Sequence, residues 1–207
     1  MSTATLEKIK LPIASDTEKL EIKNVHTDIY LPLFITEFAD EKHYTKFIKN
    51  VERVVRASLE YKMWLKFLRE NLGMTKCVFT GETLEETDDI EIHHHPFTLY
   101  DICKIVVDTY LKQGKPFCTF TIAMEVIQLH FQLNVGFVPI AGTLHKKFHN
   151  GYLEIPREYI YGNPKYLIDN YYVTESLIEK YEKYMSVTLD ADIYQKSWNL
   201  KDSEDGL

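Results

Sequence analysis

Residues 90–97 read IEIHHHPF, and the three adjacent histidines before a proline decide how the rest of the chain is interpreted. Successive side chains of an extended strand point to opposite faces, so His93 and His95 share one face and His94 points to the other. Pro96 also favours an extended backbone at His95. The run is therefore not expected to give three ligands to one ion. A division of labour is more natural, in which one imidazole binds a metal and its neighbour performs acid–base chemistry.

A second histidine cluster lies downstream, where residues 143–151 read TLHKKFHNG. The pattern is typical of a short helix that begins at Thr143 and ends before Gly151. Side chains four residues apart on a helix project side by side, so His145 and His149 can chelate one ion. Five of the eight histidines fall in these two clusters. Because neither cluster can build a site alone, we expect the two to be adjacent in the fold.

The composition limits the classes of protein to which the chain can belong. Its 207 residues, 45% of them hydrophobic, are enough for one main domain with a real core. No apolar stretch approaches the roughly 20 residues that span a bilayer, and the N-terminus lacks an apolar signal core, so we expect an intracellular protein without a membrane segment. The net charge of −7 does not favour general binding to nucleic acid. Any surface for a polyanion must therefore be local.

The chain divides by pattern into five segments. The segments are an N-terminal arm or strands at 1–39, a basic-faced helix at 40–73, a core at 74–152 with a helical insertion at 98–133, a Tyr-rich region at 153–188 and an acidic tail at 189–207.

The pattern at 40–73 predicts one long helix or two consecutive helices, and one helix face is basic. Its basic stripe is defined by four residues spaced three or four apart, Lys46, Lys49, Arg53 and Arg56. The stripe is either an ordinary solvated helix face or a ridge that contacts phosphates.

The segment before the histidine run has the pattern of a β-hairpin. Residues 75–97 read TKCVFTGETLEETDDIEIHHHPF, which predicts a strand, an acidic loop with Gly81 and a second strand that ends at the histidines. Thr98 and Asp101 then form a capping-box pattern that begins a helix, and a second helix extends to about Leu133. Residues 134–142, NVGFVPIAG, are predicted to interrupt the helical pattern.

The order of CVFTG, IEIHHHP and LHKKFHNG resembles the HNH endonucleases, and the helical His-x-x-x-His is similar to that of the colicin-like DNases. HHHPFTLYDI with LHKKFHNG also looks like HNH-type proteins of large tailed phages. The resemblance covers residues 76–151 and implies a ββα-metal core. With the helices that the pattern predicts between the two halves of this core and the long N-terminal helix, we expect an α+β fold. Thr80 stands where many relatives have the second cysteine of a structural zinc site, so we expect that site to be absent.

Carried over by position, the resemblance assigns roles to five residues. It implies that His93, His145 and His149 bind the metal, that His94 is the general base, and that Asn134 is the nearest candidate for the central Asn of the motif. The implied reaction is metal-dependent hydrolysis of phosphodiester bonds, with DNA as the expected nucleic acid. Three imidazoles favour Zn, Mn or Ni over Mg, which prefers carboxylate and water oxygens. The expected location is the cytoplasm, which is the host cytoplasm if the chain is phage-encoded.

Two other classes of function remain open. In the first, a degenerate HNH-like fold is stabilised by zinc and serves as a binding or assembly module, whose acidic and Tyr-rich surface faces a protein partner. The lack of a secure central Asn favours this class. In the second, the histidines have no metal and the chain is an α+β interaction protein, which the clustering of five histidines disfavours.

Overall fold

The computed structural model describes residues 34–83, 85–86, 89–149 and 152–189, which belong to one compact unit. These residues form seven α-helices, one 3-10 helix and one antiparallel pair of strands, a mixed α+β architecture. The expected arm at 1–39 and the acidic tail at 189–207 lie almost entirely outside the described residues.

Two helices occupy the region in which one long N-terminal helix was expected. Helix α1 comprises Glu41–Ala57, and helix α2 comprises Leu59–Glu70. Ser58 separates them because its backbone is extended, with ψ of 151°. The Ser58 N–H still donates to the Val54 carbonyl, and its hydroxyl accepts from the Tyr61 N–H at 3.1 Å, so one residue ends α1 and caps α2. The long helix expected here is thus divided in two, which is the alternative that the sequence pattern left open.

The strand that bears the histidines pairs with a distant partner. Strand β1, Ile90–His94, is antiparallel to strand β2, Phe137–Ala141, with Ile90 opposite Ala141 and His94 opposite Phe137. The prediction that β1 forms a hairpin with residues 76–80 is therefore wrong. Residues 76–80 make an isolated bridge at Lys76 and one hydrogen bond to the Pro139 carbonyl. Every residue of β2 is buried, and an apolar strand of this kind satisfies the backbone of β1 while it fills the core.

Two helices lie between the paired strands in sequence. Helix α3 is Leu99–Lys112 and helix α4 is Thr119–Phe131. The capping box predicted from Thr98 and Asp101 is confirmed, because the Asp101 N–H donates to the Thr98 hydroxyl and the Thr98 N–H donates to the Asp101 carboxylate. Helices α1, α3 and α4 pack together around a fully buried core that includes Ile48, Val51, Val55, Ile102, Val106, Phe117, Ile122 and Val126.

The chain turns directly from β2 into the short helix α5, Gly142–His149. Thr143, the predicted first cap, lies inside this helix, and the predicted end at Asn150 and Gly151 is outside the described residues. The Gly142 N–H donates to the Asp89 carbonyl at 3.1 Å, which fastens the start of α5 beside the start of β1.

The C-terminal region adds three short helical segments to the fold. It contains the 3-10 helix Arg157–Tyr159, helix α6, Lys165–Asn170, and helix α7, Glu175–Met185, which begins after Thr174. Tyr184 of α7 packs edge-on against His95, with ring centroids 4.6 Å apart. None of the helices that the structure describes is both long and apolar enough to cross a bilayer.

Candidate metal centre

Three histidines from two elements converge at one place. The candidate ligand atoms of His93 on β1 and of His145 and His149 on α5 all lie within 4.8 Å of one another. The His93 ring centroid is 4.8 Å from that of His145 and 5.2 Å from that of His149. The predicted adjacency of the two histidine clusters is thus confirmed, although about 50 residues separate them in the sequence.

The local fold explains why these three rings meet. Helix α5 follows β2 without a loop, so it lies against the strand pair and contacts both strands. The four-residue spacing turns His145 and His149 to one side of α5, with ring centroids 4.4 Å apart. Phe148 also packs against His93, with its ring centroid 4.7 Å from that of the imidazole. The sequence thus builds the group from one strand position and one helix face.

A carboxylate orients one of the three rings. Glu91 Oε2 lies 2.6 Å from Nδ1 of His145. A carboxylate accepts, so Nδ1 of His145 carries a proton and donates it, which leaves Nε2 to face the group. That Nε2 lies 2.8 Å from Nε2 of His149. The sequence reasoning missed Glu91, although its place two residues before His93, on the same face of β1, is a signal that could have found it.

The donor set fits a transition-metal ion after small movements. Two nitrogens bound to one tetrahedral ion at about 2.0–2.1 Å lie about 3.3–3.4 Å apart. The separation of 2.8 Å between His145 and His149 is shorter than this, and the widest separation in the group, 4.8 Å, is longer. Rotation of the side chains by about an ångström closes both differences, because His149 is exposed and His145 only half-buried.

The electrostatics keep at least two of the rings neutral near pH 7. Burial, reinforced by the neighbouring imidazoles, lowers the pKa of His93 to about 3. Burial also lowers the pKa of His145, and the Glu91 carboxylate opposes part of that shift. Metal ligation requires the neutral imidazole, so His93 and His145 are in the protonation state that a metal needs.

His94 lies on the opposite face of β1 and faces the helical core. It is 6% exposed, and its Nε2 is 2.9 Å from Nε2 of His130 on α4. Nδ1 of His130 lies 2.6 Å from the Val126 carbonyl. A carbonyl can only accept, so Nδ1 of His130 is protonated, its Nε2 accepts, and Nε2 of His94 donates.

The buried position of His94 determines whether its ring can act as the general base that the resemblance implies. Its ring lies within 5.9 Å of the Trp64 ring and 6.3 Å of the Tyr61 ring, centroid to centroid, in the interior of the protein. A general base must reach the proton it removes, and a ring in the core has no such access. The general-base role of His94 stays a prediction, and its burial weighs against it.

Asn134 and His95 also flank the histidine group in sequence. The Asn134 amide donates to Gln132 Oε1 at 3.2 Å, so the hydrogen bond of its side chain is to its own loop. His95 shares a side with His93, with ring centroids 6.2 Å apart, and is 1% exposed. Its Nε2 makes no hydrogen bond with the part of the chain that the structure describes. His95 was not among the predicted site residues, although the alternation of the strand places it beside His93.

The basic stripe on α1 is exposed at all four positions. Arg56 pairs with Glu52 at 2.9 Å, and Arg53 donates to the Asn50 side chain at 2.7 Å. Lys46, Lys49 and Arg53 line one side of a cavity of about 670 Å³ that also contacts Phe38 and Phe47. The stripe and the histidine group lie on different elements, since α1 packs on α3 and α4 whereas α5 packs on the strands.

Comparison with known protein families matches almost the whole chain to a family of phage proteins. The family model described as "Bacteriophage G278-like virion protein" matches residues 2–202. No curated protein and no solved structure gives a significant match to the chain.

Proposed function

Because the chain belongs to the bacteriophage G278-like virion protein family, we propose that it is a virion protein that binds one divalent transition metal and uses it to hydrolyse nucleic-acid phosphodiester bonds. The observation that carries the proposal is the convergence of His93, His145 and His149 within 4.8 Å. As a phage protein it would act in the virion or in the host cytoplasm.

The residues of the group favour Zn, Mn or Ni as the ion. Imidazole nitrogen suits these metals, whereas Mg demands oxygen ligands. The Glu91 carboxylate is engaged by Nδ1 of His145 and is better suited to orient that ring than to ligate.

The described residues offer three protein ligands, a number that supports hydrolysis over a purely structural site. Structural zinc sites usually have four protein ligands, whereas catalytic sites have three and keep a position open. When bound, an ion of this kind polarises a phosphate and activates water. His149 is exposed at the end of α5, so the group has a side through which a phosphate can approach.

The elements around the group also support the proposal in part. An antiparallel pair, β1 and β2, is followed at once by α5, with α3 and α4 inserted between the strands. The HNH resemblance also implies two strands and a metal-binding helix, but it places the inserted helices after both strands. The basic stripe on α1 supplies the exposed positive charge that a polyanion needs in a chain of net charge −7.

A metal-stabilised assembly module is the second candidate, and the burial of His94 favours it. Without an accessible base from this run, the group can still hold α5 onto β1. Helix α5 contains no buried residue, so ligation by His145 and His149 would contribute much of the free energy that holds it in place. Membership in a virion protein family is consistent with this role as well.

Nicking of supercoiled plasmid separates the two candidates. The full-length protein is stripped of metal and then supplied with Zn, Mn, Ni or Mg, and single-stranded DNA and RNA are tested beside the plasmid. Hydrolysis is expected with at least one transition metal and is expected to be lost in His93→Ala. His43→Ala is the matched control, because His43 is exposed on α1 and pairs with Asp40. A protein that binds metal but cuts none of these substrates would refute the nuclease and leave the assembly module.

A further inference from the structure

A second pocket lies on the helical side of the molecule and has no part in the metal centre. It has a volume of about 500 Å³ and lies among α3, α4 and α6. Its lining includes Tyr110, Phe120, Met124, Glu125, Tyr166 and Tyr171. The pocket therefore combines four aromatic side chains with one carboxylate.

Both oxygens of the carboxylate are held in place by neutral donors. The Tyr110 hydroxyl donates to Glu125 Oε2 at 2.7 Å, and the Tyr171 hydroxyl donates to Glu125 Oε1 at 2.8 Å. Among the described residues no Lys, Arg or His forms an ion pair with Glu125. Each carboxylate oxygen keeps a further lone pair, so the group is oriented, and its negative charge has no ion-pair partner within the described part of the chain.

The rim of the pocket is apolar and accessible. Phe120 is 70% exposed and Met124 is 72% exposed, one turn apart on α4. Large apolar side chains exposed beside a pocket are typical of contact surfaces between proteins. A cation that enters among aromatic faces gains from the ring quadrupoles as well as from the carboxylate.

We propose that this pocket receives an arginine side chain of a protein partner, with the guanidinium on Glu125 and its stem against Phe120 and Met124. Arginine fits better than lysine because its planar fork can engage both carboxylate oxygens while it stacks on an aromatic ring. A member of a virion protein family functions among other proteins, which supplies the class of partner. The alternative is that Glu125 only ties α3, α4 and α6 together.

Methionine methyl NMR tests the proposal on the full-length protein. The chain has five methionines, of which Met124 reports on the pocket, while Met63, 54% exposed on α2, reports on non-specific contact. The probes are N-acetyl-arginine amide and its neutral analogue N-acetyl-citrulline amide. We expect a saturable shift of Met124 with the arginine probe, about tenfold weaker binding of the citrulline probe, and no response of Met63.

A matched pair of variants completes the test. Glu125→Gln should remove the preference for arginine over citrulline, and Glu60→Gln, an exposed acid on α2, should leave it unchanged. If Glu125→Gln fails to fold, the comparison of the two probes on the wild-type protein still decides. Equal binding of the two probes, or equal shifts of Met124 and Met63, would overturn the proposal and leave Glu125 as a structural tie.

Discussion

Acid should destabilise the protein through the buried pair of His94 and His130, and the size of the effect follows from the structure. Burial lowers the pKa of His130 from 6.5 to about 4, and burial lowers that of His94 well below 6.5. Both rings are therefore neutral in the folded protein, while in the unfolded chain each takes up a proton near pH 6.5. The stabilisation is complete above the unfolded value and is lost as the pH falls toward the folded value.

The magnitude can be worked out for His130 alone. With an unfolded pKa of 6.5 and a folded pKa of about 4, acidification from about pH 7.5 to about pH 5 lowers the free energy of unfolding by about 2 kcal/mol. His94 acts in the same direction. Other groups titrate over this range, so the contribution must be measured as a difference between proteins.

Urea unfolding at a series of pH values measures that difference. His130→Leu removes the titrating ring, so its free energy of unfolding should fall by about 2 kcal/mol less than that of the wild type over the same range. The variant also leaves the His94 Nε2–H without its acceptor, which lowers its stability at every pH. His43→Ala, on an exposed histidine, should keep the full dependence. The same dependence in His130→Leu and the wild type would refute the reasoning.

Three further predictions concern single features. Glu91→Ala should weaken metal affinity by about 10–100-fold in chelator competition because His145 loses its orienting carboxylate, and an unchanged affinity would remove Glu91 from the site. Reversal of charge at Lys46 and Arg53 should weaken nucleic-acid binding for all sequences and reduce the slope of log affinity against log salt by about 2, as measured by fluorescence anisotropy. An unchanged slope would make the stripe an ordinary solvated helix face. Thr98→Ala should cost about 1 kcal/mol in urea unfolding because α3 loses its capping box, and no loss of stability would contradict the role of that cap.

Local patterns in the sequence were sufficient for much of the candidate site. The alternation of a strand separates His93 from His94, and the spacing of a helix brings His145 beside His149, so both features follow from geometry over a few residues. The capping box at Thr98 was predictable for the same reason.

Features that depend on distant residues were not predictable. The partner of β1 lies beyond two helices, and a hydrophobic pattern does not identify which strand pairs with which. The sequence shows that His94 points away from His93, but not that it meets His130 across the core. Ser58 divides a continuous apolar pattern because its hydroxyl can cap a helix, and the pattern alone does not reveal that choice.

Metal content tests the central claim most directly. The purified full-length protein is stripped with a chelator, titrated with Zn, Mn or Ni, freed of excess ion and analysed for bound metal. We predict one ion per chain in the wild type and in His43→Ala, and loss of that ion in His149→Ala together with lower stability of the segment that contains α5. A wild-type protein that stays folded and retains none of these metals would contradict the account.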